Sequence, residues 1–120
     1  ATYPEALIQR VLLAGCPEAR CTACRAPWTR RLRRHGQTAK RLPLTPTCAC
    51  NAGREPGVVL DPFMGAGTTA LAAEHLGRSW AGIELNDEYI QLAVQRLDVD
   101  RATRADEPAD ASSKPKGGTP

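Results

Sequence analysis

The stretch that most constrains this 120-residue chain is Val58-Val59-Leu60-Asp61-Pro62-Phe63-Met64-Gly65-Ala66-Gly67-Thr68-Thr69. Three apolar residues at its start, two of them β-branched, predict a short buried strand of a parallel sheet. A Gly-x-Gly turn follows, and Thr68 to Leu76 predicts a helix closed by Gly77. Strand, glycine turn and helix together bring a ligand against bare backbone at a helix N-terminus. Gly65 and Gly67 permit that approach, because a Cβ there collides with the ligand or forbids the backbone angles. Ser79 to Leu85 predicts the next strand, with Glu84 at its C-terminal end. In an open parallel sheet that end faces the ligand crevice, where an acid holds a pair of ribose hydroxyls. The two features predict a nucleoside-binding unit.

Which nucleoside it binds depends on the neighbouring residues. Gly65-Ala66-Gly67-Thr68-Thr69-Ala70 fits the dinucleotide pattern G-x-G-x-x-A, a weak signal by itself. The preceding Asp61-Pro62-Phe63-Met64 sets it apart. The whole string, DPFMGAGTT followed by GIEL, resembles the cofactor-binding motif of the DNA amino-methyltransferases, which modify adenine N6 or cytosine N4. That resemblance implies an α/β chain with a partial Rossmann-like methyltransferase fold, a parallel sheet flanked by helices. It implies S-adenosylmethionine as cofactor. The loop Asp61, Pro62, Phe63, Met64, Gly65, Ala66, Gly67, Thr68 and Thr69 would wrap the cofactor's methionine part. Glu84 would take the ribose hydroxyls, with Leu85 and Asn86 beside it. A dinucleotide dehydrogenase is the competing enzyme reading, but nothing in the chain resembles its substrate domain. An ordinary glycine-rich turn explains neither Asp61 nor Glu84.

Upstream, Pro4 suits the first turn of a helix. Glu5 to Ala14 places Leu7, Ile8, Val11 and Leu12 on one face, and Gly15 ends the run. Thr2-Tyr3-Pro4 and this helix resemble the same family's aromatic-Pro segment, whose backbone closes over the cofactor's methionine end. An ordinary amphipathic helix start is the alternative reading.

About forty residues separate that helix from the strand at 58, and they carry four spaced cysteines. Cys21-x-x-Cys24 and Cys48-x-Cys50 have the spacing of a structural zinc ribbon or knuckle, although the second pair is tighter than usual. Few apolar residues lie between the pairs beyond Trp28, Leu32, Leu42 and Leu44, too few to hold a fold without metal. The alternative is a disordered basic loop with reduced thiols. Cys16 reads as a small buried residue. His35 reads as solvated among arginines, and His75 as packed or exposed on its helix and not catalytic.

The net charge of +3 conceals an asymmetry. No acid lies between Glu18 and Glu55, yet nine basic residues do: Arg20, Arg25, Arg30, Arg31, Arg33, Arg34, Lys40, Arg41 and Arg54. The rest of the chain holds seven basic residues against thirteen acids. So local a positive charge predicts a local polyanionic partner, double-stranded DNA, with Arg30, Arg31, Arg33 and Arg34 tracking phosphates and Trp28 stacking or packing among them.

After the second strand, Asn86 is expected to cap a helix with Asp87 and Glu88 in its first turn. Tyr89, Ile90, Ala93, Val94 and Leu97 form the stripe expected to pack on the sheet. From Val99 the composition has almost nothing to bury, which predicts a disordered tail through Pro120. The expected organisation is therefore residues 1–15 and 57–98 as the cofactor-binding part, 16–56 as a zinc-ribbon-like basic insert, and 99–120 as tail.

At 42% apolar, the chain is one small domain at most, and only two strand signals emerge. No apolar run is long enough to span a membrane and no signal-peptide pattern is present, so a cytoplasmic protein is expected. The family's catalytic motif, two adjacent prolines between a polar residue and an aromatic, grips the flipped base's amino group. None of the ten prolines here is adjacent to another, so no catalytic residue is assigned. The resemblance then implies the C-terminal, cofactor-binding half of an enzyme whose N-terminal half supplies that motif. The non-enzyme alternative is a zinc-stabilised nucleic-acid-binding module with a vestigial cofactor pocket.

Overall fold

A computed structural model of the chain describes residues 3–107, so Thr2 and the tail from residue 108 lie outside the described residues. The chain is mixed α/β. Helix α1 (Glu5–Gly15) is followed by six short strands: β1 (Ala19–Cys21), β2 (Pro27–Thr29), β3 (Leu32–His35), β4 (Thr38–Arg41), β5 (Thr45–Pro46) and β6 (Arg54–Pro56). Then come β7 (Val58–Asp61), α2 (Thr68–His75), β8 (Ser79–Gly82) and α3 (Asp87–Asp106).

The β7-α2-β8 unit carries the glycine loop. β7 and β8 pair in parallel, with Val58 opposite Ser79 and Asp61 opposite Gly82. Helix α2 packs closely because its inner residues are small: Ala70, Ala72 and Ala73 are fully buried. That closeness lets Leu12, Cys16 and Val59 meet Ala72 and Ala73 in one core, with Ile8, Leu76 and Trp80 against it. Met64, Ala70, Leu71 and Leu97 form a second core on the α3 side. Cys16 is buried, as its context predicts.

The expected burial of β7 holds only for Val59; Leu60 is 66% exposed. Among the described residues β7 has a ladder partner on one edge only. The helical stripes are also narrower than their periodicity implies. On α1 only Leu12 is buried, while Leu7 and Val11 face solvent; on α3 Ala93 and Leu97 are buried, while Tyr89, Ile90 and Val94 are exposed.

The insert forms strands where periodicity gave no signal. β5-β2-β1-β6 make an antiparallel sheet, and β3 and β4 form a separate hairpin. Strands of two to four residues are too short to show an alternating pattern.

Helix α3 continues to Asp106, which overturns the expected disorder from Val99 as far as that residue. Polar contacts hold the last turns instead of apolar burial. Arg104 bridges Asp100 and Glu74 at 2.8 Å each, and Arg101 also pairs with Glu74. Trp80 Nε1 donates to the same Glu74 carboxylate at 3.1 Å. The Arg101 side chain foremost, with Trp80 and Arg104, draws the Glu74 carboxyl down to about 2.

His75, expected to be merely packed or exposed, ties three helices together. Its Nδ1 lies 2.5 Å from Glu5 on α1, and its Nε2 lies 2.7 Å from Asp100 on α3. Only the imidazolium donates from both nitrogens. Asp100 foremost, and Glu5, hold its pKa above the ordinary 6.5. A raised histidine pKa stabilises the fold fully below the unfolded value and ceases to do so as pH rises through the folded one. The melting temperature should therefore fall as pH is raised from 6.5 through the folded-state pKa above it. His75→Gln should remove that dependence; an unchanged pH profile in the variant would exclude this clamp.

Candidate cofactor cleft and cysteine cluster

Loop 62–67 starts from a fixed turn. Asp61 Oδ1 accepts from the Phe63 amide at 2.9 Å, and Ile83 N donates to Asp61 O at 3.0 Å, so the loop leaves β7 locked to β8. Met64 N donates to Ile83 O at 2.9 Å, which folds the loop back over the C-terminal end of β8. The Met64 side chain lies where a Cβ on Gly82 would come within 2.2 Å. Gly65 (φ 55°) and Gly67 (φ 83°) both turn left-handed. Their roles differ. A Cβ on Gly65 would meet nothing within 4 Å, so that face is open to a ligand. One on Gly67 would lie 2.9 Å from Ala93 Cβ, so Gly67 is needed where α3 packs against the loop.

Tyr3, Phe63, Met64, Gly65, Ala66, Thr68, Glu84 and Tyr89 line one cleft of ≈180 Å³. Glu84 closes it from below. Its Oε2 accepts from Gly65 N at 2.7 Å and its Oε1 from Asn86 N at 2.9 Å. The Asn86 and Gly65 amides hold its carboxyl below the ordinary carboxylate range. It is an ionised acceptor at neutral pH, and each oxygen keeps a lone pair for a hydroxyl.

Asp61 and Gly67, expected in the same crevice, support it from beneath and do not line it. Pro62 sits exposed in the turn. Thr69 is buried, and its hydroxyl lies 2.5 Å from Tyr3 Oη, joining the segment before α1 to the start of α2. Pro4 precedes α1 as its N-cap. Asn86 caps α3, accepting from Glu88 N at 2.9 Å, and Leu85 stands 95% exposed next to Glu84. Two contributors escaped the sequence analysis. Tyr89 enters the cleft one turn into α3, a position its helical stripe assigned to the sheet. Arg96 donates to Ala66 O at 2.7 Å and to Thr68 Oγ1 at 3.3 Å, pinning the loop from outside. Its single contribution leaves no motif to find.

The DNA methylase family model for N6- and N4-methyltransferases matches residues 1–95. The chain belongs to this DNA methylase family. Over 47 residues it is 49% identical to the type II methyltransferase M.HpaI of Haemophilus parainfluenzae, covering 39% of this chain and 15% of that protein. Over 67 residues it is 43% identical to the DNA adenine methyltransferase YhdJ of Escherichia coli K12, covering 55% of this chain and 23% of that protein. The chain thus spans less than a quarter of the length of these relatives. In the crystal structure of M1.HpyAVI a 56%-identical part covers 34% of this chain and 22% of that one, with a TM-score of 0.34.

The methylase chain carries a second cluster. The sulfurs of Cys21, Cys24, Cys48 and Cys50 all lie within 4.8 Å of one another. A zinc–sulfur distance of about 2.3 Å gives a tetrahedron with edges of roughly 3.8 Å, so a slight contraction suffices. The backbone bends after each pair, at Arg25 (φ 65°) and Asn51 (φ 51°). The amides of Cys24 and Ala23 draw the Cys21 thiol down to about 7, while Cys24 and Cys48 push Cys50 up to about 12. Sulfurs gathered this closely ionise together most readily around a divalent cation, which offsets the repulsion between thiolates. The donor set fits zinc. No helix among the described residues is long and apolar enough to cross a membrane.

Proposed function

We propose that this chain is the S-adenosylmethionine-binding part of a cytoplasmic enzyme that methylates an exocyclic amino group in DNA, adenine N6 or cytosine N4. The observation that carries the reading is the Glu84 carboxylate held by Gly65 N at the floor of the cleft. It unites the two sequence features on which a nucleoside site rests. In this reading the unit is part of a Rossmann-like fold, as the family implies. S-adenosylmethionine, when bound, supplies the electrophilic methyl group. Glu84 accepts from the two ribose hydroxyls. Gly65 allows close approach of the ligand, while the Tyr3–Thr69 contact holds the aromatic-Pro segment across the methionine end. Arg96 keeps the loop from opening.

The base-gripping residues come from a catalytic half that covers the open edge of β7. The exposed side chains of Leu60 on β7 and Phe63 at the cleft support such a cover. Cys21, Cys24, Cys48 and Cys50 hold one structural Zn²⁺ through their clustered sulfurs.

Calorimetry with S-adenosylmethionine tests the reading. The chain should bind it, and Glu84→Ala should weaken binding by about ten-fold or more, because hydroxyl partners are left unsatisfied. Equal affinity in the variant would remove Glu84 from the site. No binding by the unaltered chain would favour the zinc-stabilised nucleic-acid module with a vestigial pocket.

A further inference from the structure

The nine basic residues of the insert divide into two sets. Arg20 and Arg25 pair with Glu55, and Arg30 forms a fork on Glu18 with two contacts of 2.9 Å. Arg54 lies over the half-buried Trp28 ring, 5.5 Å from its centroid. These four charges belong to the insert's own architecture. Arg30 is therefore not a free phosphate contact, and Trp28 is a packing group.

The other five, Arg31, Arg33, Arg34, Lys40 and Arg41, lie in or beside the β3–β4 hairpin. None has an acid at ion-pair distance among the described residues. Every residue of both strands is exposed, and neither joins the four-stranded sheet. The register puts Arg33 directly opposite Lys40. Like charges so placed destabilise a hairpin unless something neutralises them. Leu32 pairs with Arg41 and Arg34 with Ala39, so Arg34 and Arg41 share the opposite face. The ribbon is thus cationic on both sides. A tight turn, with Thr38 Oγ1 donating to His35 O at 2.8 Å, keeps its tip narrow.

A charged patch on one face suits one row of phosphates. A narrow ribbon charged on both faces suits a slot with anions on both walls. The major groove of duplex DNA, about 12 Å wide, admits a two-stranded ribbon between two phosphate rows. We infer that the β3–β4 hairpin enters the major groove of the DNA substrate, Arg33 and Lys40 facing one strand's phosphates and Arg34 and Arg41 the other's. This rests on the reading of DNA as substrate. An RNA duplex, with its deep and narrow major groove, does not accept such an element.

The test uses the full chain, duplex DNA and a salt titration. R33Q/K40Q and R34Q/R41Q should each lower the slope of log affinity against log salt by about 1.8, and together by roughly twice that. A DNA duplex whose cytosines carry a bulky sugar in the major groove should bind the unaltered chain as weakly as the four-fold variant binds plain DNA. A slope moved by neither pair, or by one pair alone, would overturn the two-walled contact. Equal affinity for sugar-filled DNA, or for an RNA duplex, would overturn the groove. Zinc content and S-adenosylmethionine affinity should stay unchanged in both variants. Loss of cofactor binding by the unaltered chain, with DNA slopes as expected, would refute the methyl-transfer reading alone.

Discussion

Cys21→Ser, or stripping the metal with a chelator, should unfold residues 19–56 and leave the α1-β7-α2-β8-α3 body folded. Between Ala19 and Pro56 the buried apolar residues are only Ala19 and Cys21. Units below about 40 residues rarely fold on such a core without disulfides or metal. No disulfide links the five cysteines among the described residues, so the proposed zinc is the remaining candidate to hold this unit. In small zinc domains the ion supplies on the order of ten kcal/mol of folding free energy. Metal analysis should give one zinc per chain, and amide exchange across β1, β2 and β6 should be protected only when zinc is present. Undiminished protection in the chelated protein would contradict the zinc site. Ile83 and Val59 amides, which belong to the parallel unit, should stay protected throughout.

The second large effect is expected at Gly67. Gly67→Val forces a β-branched residue into a left-handed conformation, which costs about 1–2 kcal/mol even for an unbranched one. Its Cβ also meets Ala93 Cβ at 2.9 Å, adding an overpacking cost of roughly 1–3 kcal/mol. Urea unfolding should show a loss on the order of 3 kcal/mol or more. Gly65→Ala meets open space, so it should lose only the backbone part, about 1 kcal/mol, and yet lower cofactor affinity. Equal losses of stability at the two positions would show that α3 does not press on the loop.

The contrast between those glycines marks how much of the site was legible in the sequence. DPFMGAGTT and Glu84 reveal which residues gather, because strand, turn and acid are local patterns with fixed spacing. They do not reveal that Gly67 answers to Ala93, a residue 26 positions on in the sequence. Arg96 and Tyr89 are invisible for the same reason: each acts through the docking of α3. The clustering of the four cysteines was legible because Cys-x-x-Cys and Cys-x-Cys are local patterns with fixed spacing. The strands of the insert were not, since β1 and β2 are three residues each, too short to show an alternating pattern. The far end of α3 misled because its stability rests on Glu74, Asp100, Arg101 and Arg104, whereas an apolar stripe was sought.

The central claim is that the cleft between Tyr3 and Glu84 binds S-adenosylmethionine. Its most direct test is to titrate the isotope-labelled 12.9 kDa chain with the cofactor and follow its backbone amides by NMR. The account predicts large shifts at Phe63, Gly65, Ala66, Thr68 and Leu85, and none across the β3–β4 hairpin. Shifts confined to the insert, or no shifts at all, would contradict it.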